Sequence, residues 1–513
     1  MLRRPLWDNA GFVAVIVLGI RVCYLVTQYV VGGASVQRFH VESAAFLLVV
    51  VGLCYRAARS STDTSIVPVP KFTNGFVVFV GFGALAFALY WRALSIGFLS
   101  DDFLLIHRAS AWQVGAVNLE FFRPVPITIW ALLLHVGVGA KTIHALNIAL
   151  HATNAWLTVH LASRWIGDRG WRLAAGLVMV TMPLAPEAVA WCSGVFDVMA
   201  TTLVLAAVLT ARRYGDMPSM ATRISFVAIG LLALVSKETA AILPILVLLD
   251  AWVRRAFSRK LLQDTLAFFA ILAVISVIRL SLRFGVTAPS IGLGAWRRTL
   301  FRSFGSLAFP WHVDVVHSFP LVPLVAGLLF VGLVTAFLLH AGRTSSTRAA
   351  VAGAAWVITA ILPVFHVFFV SPDLQASRYL YLSSVGWAVL IASLAADFPT
   401  TNLWSRIVPR AVIIMFAAAS VFGVRMHLQP WIAAANLRDI VERQAAQDNR
   451  MRRCDRILLA NVPDSIDGAY VFRVGAREEF ARALRLNAFV GNEPGPCSFR
   501  WDGETSTFAV IEN

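Results

Sequence analysis

The chain has 513 residues, of which 58% are hydrophobic and only 14% are charged, and its formal net charge is +16. A mean hydropathy of +0.72 excludes a soluble globular protein and indicates a polytopic membrane protein. Most of the basic excess lies in short segments between apolar runs, which is typical of Lys and Arg retained on the cytoplasmic side of a membrane and not of a nucleic-acid-binding surface.

Apolar runs that could cross a bilayer recur along the chain, since a span needs about 20 residues. The first residues, MLRRPLW, lead into such a run without a small-residue cleavage pattern, so we predict a retained first span. The predicted fold is an all-α polytopic membrane protein with about 13 transmembrane helices and additional juxtamembrane helices. The predicted spans lie near 11–31, 43–57, 74–96, 143–166, 172–192, 196–212, 224–236, 239–253, 264–284, 320–341, 349–370, 378–397 and 408–425.

The basic clusters fall on one side of the membrane if the N-terminus is cytoplasmic. The run 125–139, VPITIWALLLHVGVG, would be about 22 Å long as a helix, which is shorter than the roughly 30 Å hydrocarbon core. Counting it as a span would move the cluster at 164–172 to the outside, so we predict that it lies in the outer interface. Residues 97–142 then form an external loop that contains Asp101 and Asp102, and the C-terminus is outside as well.

The tail changes character from about residue 427, where charge returns and the apolar runs shorten. We predict a helix in LRDIVERQAAQDNRMRRC, two strands joined by a turn in RILLANVPDSIDGAYVFR, a helix in REEFARALRL, and a hairpin that turns at Asp502 and Gly503. Residues 427–513 would form a small extracytoplasmic α/β domain after a transmembrane hairpin at 1–73 and a transmembrane domain at 74–426. In an oxidising compartment, Cys454 and Cys497 either form a disulfide or remain two lone thiols.

Six motifs follow one another between roughly residues 97 and 400: SDDF, FFRPVPITIW, HALNIALHATNAWL, PEAVAWCSGVFDVMA, LVSKETAAILPILVLL and ASRYLYLSSVGW. This ordered set resembles the GT-C superfamily of glycosyltransferases that use polyprenyl-phosphate sugars, above all the transmembrane and tetratricopeptide O-mannosyltransferases and their bacterial relatives. The chain differs from that pattern in two features, because its tail has no 34-residue helical repeat and an extra hairpin at 11–57 precedes the usual first span.

The resemblance implies a GT-C-like enzyme in a membrane, by default the inner membrane of a bacterium, with an extracytoplasmic active site. It would move a sugar, with a hexose such as mannose as the default, from a polyprenyl-phosphate donor to a hydroxyl of a glycan, lipid or protein acceptor. The donor is a substrate, and a divalent cation is an option rather than a requirement. The alternatives are a polyprenyl-linked lipid flippase or transporter and a membrane assembly protein without catalysis. Transporters usually show internal repeats, which this sequence lacks.

Two adjacent acids open the motif set. Glycosyl transfer needs a base for the incoming hydroxyl and positive charge for the departing phosphate. Asp101 matches the first acidic residue of the family's external-loop motif, which implies that it is the base, and Asp102 would position the acceptor or bind a cation. The structural alternative is that both acids are solvated and cap the helix DFLLIHRA.

Positive charge for the donor phosphate is expected from side chains at the external ends of spans, where apolar surroundings strengthen it. The phosphate-binding candidates are Lys237, Arg378 and Arg123. In the alternative interpretation, Lys237 lies in a solvated turn and Arg123 ties the loop to lipid headgroups.

The predicted substrate cavity contains further polar side chains: Glu187, His144, Glu238, Tyr379 and Tyr381. Glu187 would orient an acceptor or a metal, whereas the tyrosines are alternatively part of the ordinary interfacial aromatic belt. His144 recurs with Asn147 and His151 on one helical face, which indicates either a metal site or, preferably, polar packing between spans. Asp197 is predicted to be a charge at a helix N-terminus.

Overall fold

The computed structural model describes residues 75–113, 123–281, 293–340, 346–362, 364, 370–398, 403–454, 457–484 and 497–511. The predicted N-terminal hairpin at 1–73, with its two spans, lies outside the described residues. The described chain is mostly helical up to residue 447 and mixed thereafter.

Nine helices lie in the described part of the first half: α1 (Gly75–Tyr90), α2 (Asp101–Ser110), α3 (Pro124–His135), α4 (Ala140–Ala162), α5 (Arg169–Val180), α6 (Pro186–Ala190), α7 (Val195–Asp216), α8 (Met220–Leu234) and α9 (Leu243–Arg254). The second half contains α10 (Arg259–Ser281), α11 (Leu293–Ala308), α12 (Val313–Ser318), α13 (Leu321–His340), α14 (Ser346–Ile361), α15 (Tyr381–Ala396), α16 (Leu403–His427), α17 (Gln429–Gln447) and α18 (Ala476–Leu484). Single 3₁₀ turns occupy Trp91–Ser95, Cys192–Gly194, Glu238–Ile242, Ser377–Leu380 and Met451–Arg453.

Within the described residues, four helical segments are long and apolar enough to cross a membrane: Gly75–Ser95, Cys192–Asp216, Ser377–Ala396 and Leu403–Gln447. Shorter apolar helices are Pro124–His135, Met220–Leu234, Leu321–Phe337 and Ser346–Ile361. The protein is therefore a helical membrane protein, while the number of about 13 spans stays a prediction. Helix α3 has 12 residues, or about 18 Å, which is too short to cross the hydrocarbon core unaided.

Charged side chains gather at the two ends of α7. Near its C-terminal end, Arg212 donates to Asp250 at 2.6 Å, and Arg254 bridges Asp250 at 2.8 Å and Asp216 at 2.7 Å. Its N-terminal end carries Asp197, about 22 Å away along the helix axis. The arginines that the sequence assigns to the cytoplasmic side thus lie at the end of α7 remote from the acids and cations of the candidate site.

The tail contains two small sheets. Strands β1 (Leu458–Ala460), β4 (Ser498–Asp502) and β5 (Thr507–Val510) form one sheet, in which β4 runs parallel to β1 and antiparallel to β5. Strands β2 (Ser465–Ile466) and β3 (Ala469–Tyr470) form a separate antiparallel pair. The β4–β5 register ends at the pair Asp502 and Thr507, which confirms the predicted hairpin. Its loop is the four residues 503–506, so Asp502 ends the strand and only Gly503 of the predicted turn lies in the loop.

Both strands predicted in RILLANVPDSIDGAYVFR are present, and they do not pair with each other. Strand β1 adds to β4, and the turn at Asp467 and Gly468 closes the shorter β2–β3 pair. The predicted helices are present as α17 and α18. Cys454 and Cys497 form a disulfide with their Cα atoms 6.1 Å apart, so of the two alternatives the bonded one is found.

The tail shares a hydrophobic core with the external loop. Buried side chains of the tail, among them Trp431, Tyr470 and Phe472, pack against Leu99 and Phe103 of the loop. Phe103 and Phe472 stack with ring centroids 6.0 Å apart. Consequently the tail contacts the segment that presents Asp101.

Candidate functional site

The acid pair lies at the first turn of α2, where the two carboxyl groups face different surroundings. The Asp102 side chain is buried and accepts hydrogen bonds from the backbone N–H of Leu99 and of Ser193, both at 2.8 Å, and from the Ser193 hydroxyl. Asp101 is half-buried and its carboxylate accepts from the Ser100 hydroxyl at 3.4 Å. Asp101 is also close enough to Arg378 for their charges to interact.

The burial of Asp102 changes its acidity. Desolvation raises the pKa of Asp102 to about 8, although the hydrogen bonds from Ser193 and Leu99 act in the opposite direction. A carboxyl group with this pKa is mostly protonated at neutral pH. Asp102 is therefore poorly suited to accept a proton, and its predicted role toward an acceptor or a cation stays a prediction.

Arg378 forms a buried ion pair with Glu187. Its Nη1 donates to Glu187 Oε1 at 2.7 Å, and the carboxylate also accepts from the Arg378 backbone N–H at 3.2 Å and from the Ser377 hydroxyl at 3.1 Å. The two side chains are 13% and 3% exposed. Because the 3₁₀ turn Ser377–Leu380 precedes α15, this segment places the guanidinium at the helix end.

Aromatic rings surround the same guanidinium. The Arg378 Cζ atom lies 4.5 Å from the centroid of Trp191, 4.8 Å from that of Tyr379 and 5.4 Å from that of Tyr470. Cation–π contacts of this kind stabilise a desolvated cation. The arrangement holds a permanent positive charge in an apolar setting.

Lys237 lies near Arg378, next to the ring of Tyr379. Its Nζ donates to Asp197 and is 4.7 Å from the Tyr379 centroid, while its side chain is 3% exposed. Burial lowers the pKa of Lys237 to about 8; Asp197 raises this pKa, and the charges of Arg123 and Arg378 lower it further. Asp197 does lie in the first turn of its helix, as predicted, and in addition it is the partner of Lys237.

Arg123 completes the arrangement from the start of α3. Its Nε and Nη2 donate to Glu238 Oε2 at 3.0 Å and 2.6 Å, and its Cζ lies 5.2 Å from the ring of Phe196. Burial raises the pKa of Glu238, but the neighbouring Arg123 outweighs it and holds that pKa below its usual value. We call the six charged residues of these three pairs the ion-pair cluster: Arg123, Glu187, Asp197, Lys237, Glu238 and Arg378.

The remaining predicted residues pack between helices. His144 Nε2 lies 3.0 Å from Gly97 O, and His151 lies 2.6 Å from the Tyr381 hydroxyl and 3.1 Å from Val180 O. Asn147 donates to Trp191 O at 2.8 Å. These contacts are polar packing between neighbouring segments, although His144 Nδ1 and Asn147 Oδ1 are buried without a hydrogen-bond partner among the described residues. The assignment of His144 and Tyr381 to a substrate cavity stays a prediction.

Two residues of the tail were missed by sequence reasoning. The Tyr470 ring lies 4.9 Å from that of Trp191 and contacts Arg378. Arg473 is exposed, lies 5.4 Å from the Tyr470 centroid and donates to Gln375 at 3.1 Å. The only available signal was the GAYVFR sequence, in which a basic residue follows closely on aromatic ones.

Among the residues that the structure describes, no group of three or more His, Cys, Asp or Glu side chains is arranged to hold a metal ion. The ion-pair cluster combines three carboxylates with three cations, so its charges balance internally. A divalent cation therefore stays an untested option.

No protein-family model matches the chain. Over 180 residues the chain is 31% identical to the protein O-mannosyl-transferase Tmtc1 of Drosophila melanogaster, and the match covers 31% of this chain. The chain spans only 21% of the length of that curated relative. The likeness supports a glycosyltransferase and does not identify its donor or its acceptor.

Proposed function

We propose that the protein is a membrane glycosyltransferase that moves a sugar, mannose by default, from a polyprenyl phosphate to an acceptor hydroxyl at the extracytoplasmic face. The observation that carries the proposal is the placement of Lys237 and Arg378 against one ring, that of Tyr379, with Asp101 near the guanidinium. Positive charges fixed beside a carboxylate are what this reaction requires.

The chemistry follows from these groups. The acceptor oxygen forms a bond to the anomeric carbon while the bond between that carbon and the phosphate oxygen breaks, and the electron pair leaves with the phosphate. Asp101 takes the proton of the acceptor hydroxyl. Lys237 and Arg378 stabilise the charge that grows on the departing phosphate, so no acid is needed to protonate it.

The ion-pair cluster is suited to receiving an anion. Without a donor, the cations are satisfied by Glu187, Asp197 and Glu238, which avoids unpaired buried charge. Lys237 has two further N–H groups beyond the one directed to Asp197. Arg378 has five side-chain donors, of which Glu187 takes one from Nη1 and the Tyr379 hydroxyl takes one from Nη2. Phosphate oxygens can therefore share these donors without breaking the internal pairs.

The likeness to an O-mannosyl-transferase supports the same reaction class. A lipid flippase would use the cluster to move a polyprenyl-linked sugar across the membrane without forming a glycosidic bond. No specific observation favours that alternative, so it enters as an outcome of the test.

The test uses the full chain reconstituted in vesicles with a synthetic, radiolabelled polyprenyl-phosphate mannose and an extract of membranes from cells that lack the gene as the acceptor pool. We expect label in an acceptor only when the protein is present, and loss of both donor binding and transfer in Lys237→Ala and Arg378→Ala. Arg213→Ala is the matched control, because Arg213 is an exposed cation near the opposite end of α7. Movement of the donor across the vesicle membrane without any new glycosidic bond would favour the flippase.

A further inference from the structure

The loop that presents Asp101 is held from the tail. Arg438 of α17 donates from Nη1 to Ile96 O at 3.1 Å and to Phe98 O at 2.6 Å. Its side chain is only 12% exposed. An arginine more than three hundred positions along the chain thus binds two carbonyls of the segment that leads into α2.

The conformation of the loop depends on the close approach of this guanidinium. Gly97 has φ +76°, and a Cβ atom at this position would lie 2.6 Å from Arg438 Nη1. Glycine therefore supplies both the left-handed backbone and the space that the arginine occupies. Ser100 also has a positive φ of 51°, which for a side-chain-bearing residue needs support from its surroundings.

A second part of the tail provides that support. The Ser100 N–H donates to Val471 O at 2.8 Å, and the Val474 N–H donates to the Ser100 hydroxyl at 3.2 Å. Gly475, with φ +77°, packs so closely that a Cβ atom would lie 3.0 Å from Ser100 O and 2.9 Å from Phe103 Cβ. Ser100, immediately before Asp101, is thus bonded to the tail through both its backbone N–H and its hydroxyl.

We propose that Arg438 is a positioning residue, which holds the loop at Ile96–Phe98 so that Asp101 faces the space beside Arg378. The inference rests on the proposed role of Asp101 as the base. Arg438 contacts neither Lys237 nor Arg378 in the described structure, so its effect should fall on proton transfer and not on donor binding. The tail would then be a part of the catalytic apparatus and not only an appended domain.

The first test compares Arg438→Gln with Arg438→Lys and with Arg443→Gln. Arg443 is an exposed arginine on the same helix whose side chain bonds to Asp439 O of its own turn, so it is the matched control. We expect kcat to fall about tenfold or more in Arg438→Gln with donor Kd within about twofold, since a loop displaced by about 1 Å misplaces the base. Arg438→Lys should recover part of kcat, because an ammonium can still reach one carbonyl.

The second test is a double-mutant cycle with Asp101→Asn. If Arg438 acts through Asp101, then Arg438→Gln should change the residual rate of the Asp101→Asn enzyme by less than about twofold. Additive losses in kcat, or a loss of donor affinity as large as the loss of kcat, would overturn the inference. If Arg438→Gln does not fold, Arg438→Lys takes its place in the same cycle, where the same two outcomes support or overturn the inference.

A third measurement is independent of activity. Hydrogen exchange of peptides covering residues 96–105 should become faster in Arg438→Gln and stay unchanged in Arg443→Gln, since the Ser100 N–H is bonded to the tail. If exchange is faster in Arg438→Gln but the unmodified protein transfers no sugar, Arg438 still holds the loop and the proposed function is rejected. Unchanged exchange in Arg438→Gln would show that Arg438 does not hold the loop.

Discussion

Asp101 and Asp102 are adjacent in the sequence, yet only Asp102 is fully buried, bonded to Leu99 and Ser193, while Asp101 remains half-buried and near Arg378. Successive residues at the start of a helix point about 100° apart, so one can enter the core while the other stays partly exposed. The two acids are therefore expected to respond differently to the same substitution.

Asp101→Asn should abolish most sugar transfer while the protein stays folded. The carboxamide is nearly isosteric but cannot accept the acceptor's proton, and removal of a general base typically costs about 10²–10⁴-fold in rate. Initial rates with the reconstituted enzyme and a donor-binding assay would measure the effect. Near-normal turnover would move the base role to another carboxylate, and lost donor affinity would make Asp101 a binding group.

Asp102→Asn should destabilise the protein instead. The carboxyl group accepts hydrogen bonds from two backbone N–H groups and one hydroxyl. The NH₂ of an asparagine cannot accept a hydrogen bond, so the donor that it faces loses its partner. A buried donor without a partner costs about 1–3 kcal/mol. Thermal unfolding in detergent should show the loss, with Asp101→Asn as the matched control. Equal stability of the two variants would mean that the buried bonds contribute little.

Donor binding should depend on pH through Lys237. Its pKa is lowered to about 8, so the ammonium is mostly present at pH 7 and is lost as the pH rises through 8, whereas an ordinary lysine stays charged to above 10. The Kd for a polyprenyl-phosphate sugar should increase roughly tenfold or more between pH 7 and about pH 9.5. Lys237→Arg should remove most of this dependence, because arginine stays protonated throughout. An identical pH profile in the variant would assign the titration to another group.

Some of the fold and the site could be predicted from the sequence because the relevant signals are local. The apolar runs, the acid pair after one of them and the hairpin at Asp502 depend on neighbouring residues. The partners of the cations do not depend on neighbouring residues. Lys237 pairs with Asp197, 40 residues away, and Arg123 pairs with Glu238, 115 residues away, so only the packing of the helices brings them together. A buried lysine does require a carboxylate, so Asp197 was a partner that could have been proposed.

The contribution of the tail was beyond sequence reasoning for a different reason. Tyr470 reaches Arg378 because the β2–β3 turn packs against the loop and the bundle, and no pattern within the tail encodes that docking. The pairing of β1 could not be predicted either, since β1 finds its partner in β4 about 40 residues later. The family resemblance covered the transmembrane region and not the tail.

Cysteine labelling should decide the predicted topology, in which α3 lies in the outer interface and does not cross. Gly139 and Gly167 flank α4 on opposite ends, both are exposed, and a Cβ atom at either position meets no neighbour within 4 Å. Gly139→Cys and Gly167→Cys should therefore fold normally in a background in which Cys23, Cys54 and Cys192 are replaced and the Cys454–Cys497 disulfide is kept. A membrane-impermeant maleimide added to intact cells or spheroplasts should label position 139 and should reach position 167 only after the membrane is opened.

This labelling pattern follows if Arg164, Arg169 and Arg172 face the cytoplasm, as their charge favours. Labelling of position 167 from outside, with position 139 protected, would reverse the predicted orientation and place the external loop and the ion-pair cluster on the cytoplasmic side.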